Sequence, residues 1–125
     1  MIPGSGTKAP AVLIVEDEPL VRLCAAQTVE DAGYEVIEAE SADEAIAVLE
    51  SRRDIGVVFT DIHMPGSMDG LKLAHAVRHR WPPIKIIVTS GRETIRPQDL
   101  PDGGRFFAKP YDPAEIRDTL RAWAL

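Results

Sequence analysis

Four short apolar runs in this sequence end in side chains that can do chemistry. Ala11–Val15 leads into Glu16 and Asp17, Gly56–Thr60 into Asp61, the run from Ile84 into Thr89 and Ser90, and Arg105–Ala108 into Lys109. Three carboxylates gathered without a cation repel one another and push at least one towards its neutral form, and a divalent ion removes that conflict. Magnesium takes oxygen ligands in near-octahedral geometry and keeps several waters, so one or two carboxylates plus phosphate oxygens suit it. Asp17 and Asp61 are the expected ligands. The Lys109 ammonium offers a compact positive charge to a phosphoryl oxygen, and a Ser or Thr hydroxyl donates to another. Such a set stabilises charge spread over a transferring phosphoryl group. Asp61 is then the carboxylate nucleophile that forms an acyl phosphate. Each residue alone has an ordinary reading: an acid after a strand commonly caps or faces solvent, and a lysine before proline is commonly surface. It is the joint placement at four run ends that carries the chemical reading.

The elements that must position these groups alternate along the chain. Ala11–Val15 is apolar at every position and stops abruptly at Glu16, as a strand covered on both faces does. Pro19 opens a helix in which Leu20, Leu23, Cys24 and Val29 form the expected apolar stripe, with Gly33 after its last turn. Cys24, the one cysteine, is expected to be a small buried hydrophobe in that stripe and has no partner for an internal disulfide. Tyr34–Ala39 reads as a strand, and Ser41 with Glu44 as a capping box ahead of Ala45, Ile46 and Leu49. Gly56–Thr60 is a third strand, and Leu71–Arg80 a helix stopped by Pro82 and Pro83. Ile84–Thr89 and Arg105–Ala108 follow as strands, then a helix capped by Asp112 with Pro113 at its first position. Apolar strands separated by helices imply right-handed parallel crossovers in an α/β sandwich. In such a sheet ligands bind beyond the carboxyl ends of the strands, where the chemical residues lie.

The chain has 125 residues, enough for one core but not for a second folded domain. Residues 1–10 are expected to be a flexible tail and residues 11–125 the domain. A formal net charge of −6 argues against direct nucleic-acid binding, which rests on clustered Lys and Arg. Neither a leader-like start nor an apolar run of bilayer length is present in the sequence, so a cytoplasmic protein is expected.

Val12–Pro19 (VLIVEDEP), Val57–Gly70 (VVFTDIHMPGSMDG), Ile86–Gly91 (IIVTSG) and Phe106–Pro110 (FFAKP) together resemble the receiver domains of two-component response regulators, from about Val12 to Trp123. The resemblance implies a flavodoxin-like doubly wound sheet of five parallel strands in the order 2-1-3-4-5, with helices on both faces. It implies that Glu16, Asp17 and Asp61 hold Mg2+, that the backbone carbonyl of His63 reaches the metal, and that Asp61 is phosphorylated from a phosphohistidine. The hydroxyl residue is Ser90 ahead of Thr89, because a small residue, Gly91, follows Ser90. Lys109 matches the family lysine, with a cis bond to Pro110. Phe106 matches a switch aromatic, or is an ordinary core phenylalanine; His63 and Arg92 match positions that tune phosphoryl lifetime.

Two departures stand out. The loop after Asp61 carries Gly66-Ser67-Met68, one residue more than the common form. Between Gly91 and Lys109 the chain is short, and Pro97, Pro101 and Gly103-Gly104 disfavour a regular helix, so the fourth helix is expected to be a single turn or irregular. The implied function is a signalling switch that receives its phosphoryl group from a sensor histidine kinase or histidine phosphotransferase and acts on a downstream protein, as a monomer or weak dimer. It is a phosphoacceptor, not an enzyme on other substrates. A receiver piece of a hybrid kinase acting as relay or sink is the alternative. A phosphorylation-independent adaptor leaves the intact Asp17, Asp61, Ser90 and Lys109 set unexplained. A Mg-dependent phosphohydrolase lacks the second acid two residues on, where His63 sits.

Overall fold

The computed structural model describes residues 10–64, 66, 68–92 and 95–124; all of the expected tail but Pro10 lies outside them. The chain runs β1 (Ala11–Val15), α1 (Pro19–Asp31), β2 (Val36–Ala39), α2 (Ala42–Ser51), β3 (Ile55–Asp61), α3 (Gly70–Arg80), β4 (Lys85–Ser90), a 3-10 turn (Pro97–Asp99), β5 (Arg105–Ala108) and α4 (Pro113–Trp123). All pairings are parallel, in the order β2-β1-β3-β4-β5. The direction of winding therefore reverses between β1 and β3, and a crevice opens at their carboxyl ends.

Alternation within each strand feeds two cores. Val12, Ile14, Val57, Phe59 and Ile87 pack with Ala25, Val29, Ile116 and Leu120 under α1 and α4. Leu13, Val15, Val58, Ile86 and Val88 pack with Leu49, Leu73 and Val77 under α2 and α3. A strand covered on both faces has room for a charged side chain only where it leaves the sheet. The acids after β1 and at the end of β3 stand at that edge.

The helices start where their caps dictate. Ser41 Oγ accepts from Glu44 N at 3.2 Å, but the Glu44 carboxylate accepts from Glu40 N instead of closing the expected box on Ser41. Asp69 accepts from Lys72 N, and Asp112 from Ala114 N with Pro113 next to it. Tyr34, expected in β2, precedes that strand and donates its hydroxyl to Leu120 O, tying α1's exit to α4. Gly70 is dictated by contact: a Cβ there would lie 1.8 Å from the Asp61 carbonyl oxygen, so only glycine lets α3 begin against the end of β3.

The apolar stripe expected on α1 is corrected. Leu20 and Leu23 are 77% and 62% exposed, and Cys24 is exposed as well. Of that stripe Val29 alone faces inward, joined by Ala25, Ala26 and Thr28. Ala25, Ala26 and Val29 share one helical face, and small alanines let the helix lie close on the sheet, while residues 20, 23 and 24 fall on the opposite side. Between β4 and β5 the fourth helix is reduced to the Pro97–Asp99 turn, as Pro97, Pro101 and the glycines require. Its covering role passes to Ile95 and Leu100, which rest on the α2/α3-side core.

Candidate functional site

The ends of β1, β3 and β4 and the residue after β5 border an open cleft of about 670 Å³, whose walls include Glu16, Asp17, Asp61, His63, Arg92 and Lys109. Glu16, Asp17 and Asp61 each bring one carboxylate oxygen within 4.8 Å of the others. Lys109 Nζ stands 3.1 Å from Glu16 Oε1 and 3.1 Å from Asp61 Oδ1, bridging two of the three acids. Glu16 and Asp61 are only 5% and 7% exposed, so the bridge is made largely out of water, where unpaired charges are expensive. The Lys109–Pro110 peptide is cis.

Burial pushes the Glu16 carboxyl above its ordinary pKa, and the charge of Asp61 adds to the rise. The Glu18 N–H and Lys109 pull the other way without cancelling it. For Lys109, desolvation is the largest single influence and lowers its pKa, but Glu16 and Asp61 together outweigh it, so the ammonium is held above its usual range. The site thus stores excess negative charge around one cation.

The donor set fits magnesium. All three candidate ligands are hard carboxylate oxygens gathered within 4.8 Å of one another, the kind of donor that Mg2+ takes. The open cleft leaves space for the remaining waters or phosphate oxygens. Lys109 already pairs with one oxygen each of Glu16 and Asp61, so an arriving cation would compete with its ammonium for these two acids.

The two hydroxyl residues are placed differently. Thr89 is the register partner of Asp61 and, with Asp61, Lys109 and Tyr111, lines a small internal space beneath the cleft. Ser90 accepts the Arg92 N–H on its Oγ at 3.2 Å, and its carbonyl accepts from Lys109 N. Gly91 and Arg92, the residues after it, line the cleft itself. His63 is half-buried in the cleft wall, and Phe106 is half-buried against the α2/α3-side core.

Two neighbours were not anticipated from sequence. Asp69 lines the cleft while capping α3; its position just before Gly70 and a helix was the available signal. Tyr111, directly after the Lys109-Pro110 pair, stacks at a tilt on Phe59 with 6.1 Å between centroids. It walls the internal space below Asp61, and burial raises its phenol pKa against the opposing pull of Lys109.

A parallel sheet in this order, with acids at its switch point and a lysine arriving from the edge strand, defines a flavodoxin-like α/β protein with a polar cleft at the carboxyl ends of its strands. The family model for the response regulator receiver domain matches residues 12–121, and the chain belongs to that family. It is 34% identical to the sensor kinase CckA of Brucella abortus over 88% of its length, and 34% identical to the transcriptional regulatory protein ResD of Bacillus subtilis over 95%. It spans 12% and 49% of those two proteins. A response regulator receiver protein from Sinorhizobium medicae WSM419 has the same fold, with a TM-score of 0.85 and 26% identity over 94% of this chain and 95% of that one. The chain is thus a receiver domain of two-component systems, a fold that generally serves as a switch, and phosphorylation and Mg2+ binding are general features of its family. Among the described residues no helix is long and apolar enough to cross a membrane.

Proposed function

We propose that residues 11–125 form a phosphorylation-activated switch in which Asp61 accepts a phosphoryl group from a histidine kinase or phosphotransferase. The observation that carries this reading is the Asp61 carboxylate, buried at the end of β3, with Lys109 Nζ 3.1 Å away and Glu16 and Asp17 alongside. In the reaction an Asp61 oxygen attacks the phosphorus of a phosphohistidine. A P–O bond forms, the P–N bond breaks, and the imidazole leaves with the electron pair and takes up a proton. Mg2+, when bound by Glu16, Asp17, Asp61 and the His63 carbonyl, supplies positive charge against the phosphoryl oxygens. Lys109 pairs with another of those oxygens and holds Asp61 aimed into the cleft. The hydroxyl of Ser90, or that of Thr89, donates to a third. His63 and Arg92, on the rim, control how water reaches the acyl phosphate, and Phe106 reports the state by packing, since it has no hydroxyl to donate.

The protein acts in the cytoplasm through a downstream protein partner, as a monomer or weak dimer, without contacting nucleic acid. The identity with a sensor kinase supports a second reading, a receiver unit of a hybrid kinase that passes its phosphoryl group on or drains it. Incubation with acetyl phosphate and Mg2+ followed by intact mass measurement tests the shared step. One phosphate is expected on the wild type and none on Asp61→Asn. Equal uptake by both proteins rules out Asp61 as the acceptor.

A further inference from the structure

A second cavity, of about 380 Å³, opens at the amino edge of the sheet. Lys85, on its wall, begins β4, whereas Ser90 ends that strand beside the acidic cleft, so about 17 Å of strand separates the two openings. Two cations border the cavity from different elements, Arg78 from the last turn of α3 and Lys85 from β4. Trp123 at the end of α4 and the Pro82-Pro83 pair supply apolar wall. The Lys85 ammonium stands 6.0 Å from the centre of the Trp123 ring.

The Arg78 guanidinium is fixed in place without being neutralised. Its Nε donates to Asp102 O, on the strap that joins β4 to β5, at 2.8 Å, and its Nη1 to Pro82 O and Ile84 O at 2.6 and 2.9 Å. All three acceptors are neutral carbonyls. Arg22, Arg52, Arg80 and Arg96 each pair with a carboxylate, but among the described residues neither Arg78 nor Lys85 does. A guanidinium carries five N–H groups in a rigid fork; these bonds engage three and leave the two on Nη2. A Cβ on Gly103, which also lines the cavity, would lie 3.7 Å from Nη2, so the unengaged edge of the fork is on the cavity side. Tying three carbonyls together explains Nε and Nη1. It does not explain Nη2, or an unpaired ammonium and an indole on the same wall.

From this juxtaposition we propose that the amino-edge cavity binds a carboxylate on an apolar body, a free organic acid or the acidic side chain of a peptide, held by Arg78 Nη2 and the Lys85 ammonium with the ligand body against Trp123. Two cations without counterions favour an anion, and bonds between charged partners are the strong ones. The three carbonyls already order the Arg78 fork, so little side-chain freedom is lost when a ligand arrives. Asp102 lines the same cavity and selects the charge, because its carboxylate repels a phosphate dianion more than a singly charged acid. The volume lies at the small end of the range for ligand cavities, roughly 300–1,000 Å³, enough for one small acid or one side chain. The site lies at the opposite edge from Asp61 and does not depend on the reading of that residue.

The full chain is titrated with benzoate and, separately, with a capped glutamyl peptide, with benzamide as the uncharged control and inorganic phosphate as the dianion. Binding is read by NMR at the Trp123 indole N–H, the Arg78 Nε–H and the Gly103 amide. Saturable shifts at these three signals are expected from at least one carboxylate, and the one that saturates at the lower concentration identifies the source as free acid or peptide. Lys85→Gln, a change at an exposed position, is expected to weaken binding about two- to fivefold, the worth of an exposed ion pair. Arg78→Lys keeps the charge but loses the fork, and about a tenfold loss is expected. Three results each overturn the proposal: no saturable shift from either carboxylate, benzamide or phosphate binding as tightly as the carboxylates, or unchanged affinity in Lys85→Gln, the variant whose fold is least disturbed.

Discussion

Residues 12–15 of β1 and residues 57–59 of β3 are sealed between two helical layers, whereas Glu16, Asp17 and Asp61, one to two residues beyond those stretches, crowd three carboxylates around a single ammonium. The side chains of those stretches are apolar on both faces of the sheet and belong to the two cores. The carboxyl edge is the reverse, with like charges held together by a scaffold that does not depend on them. Stability and chemistry are therefore separable along each strand. A change in the interior should alter how much protein is folded, and a change at the edge what the folded protein binds.

Leu13→Ala is the strongest way to break that separation. Leu13 is fully buried in the α2/α3-side core, and truncating such a leucine costs about 2–5 kcal/mol. Urea unfolding should show a loss of that size, with phosphate uptake per folded molecule unchanged. If uptake by the folded fraction falls in step with stability, edge and interior are not independent.

Metal binding sharpens the comparison from the other side. Mg2+ at a hundredfold excess over its dissociation constant should stabilise the domain by about 2.7 kcal/mol, and Asp17→Asn should remove most of that gain while leaving the metal-free protein folded. The gain depends on pH with a defined sign. Glu16 titrates higher folded than unfolded, so its contribution to stability is present below the ordinary carboxylate range and is lost as pH rises through the folded value. Metal-free wild type should therefore lose stability relative to Glu16→Gln as pH climbs through and above that range, and Mg2+ should oppose the loss. Parallel pH profiles of the two proteins would remove Glu16 from the cluster's energetics.

The legible parts of the molecule divide along the same line. β1, β3 and β4 announce themselves because burial on both faces demands unbroken apolar runs, and the site announces itself because acids, hydroxyls and a lysine end those runs. The irregular strap was equally readable, since Pro97, Pro101 and Gly103 each oppose a helix. What sequence does not carry is the orientation of a helix whose apolar residues surround it, as on α1, or bonds to backbone carbonyls, which leave no residue pattern at the acceptor. His75, Arg78 and Tyr34 all make such bonds. Asp69 reaches the cleft, and Tyr111 the space below Asp61, through the fold rather than through a motif.

α1 supplies the smallest test and the sharpest contrast, because there residue size misleads about burial. Leu20 and Leu23 are the exposed large hydrophobic residues of the described chain, while the inward positions beside them belong to Ala25 and Ala26. An apolar groove between α1 and the Pro110–Pro113 segment, lined by Leu20, Cys24 and Tyr111, borders Lys109. If leucine size governed the packing of α1, Leu23→Ser would cost as much as a core truncation. Because the side chain already stands in water, the change should shift stability by about 0.5 kcal/mol or less, and Ala26→Ser, though far smaller in volume, should cost more by placing a hydroxyl against the apolar core. Thermal unfolding of the two variants decides it: a Leu23→Ser protein less stable than Ala26→Ser would return the leucines to the core and reverse the face that α1 presents to the sheet.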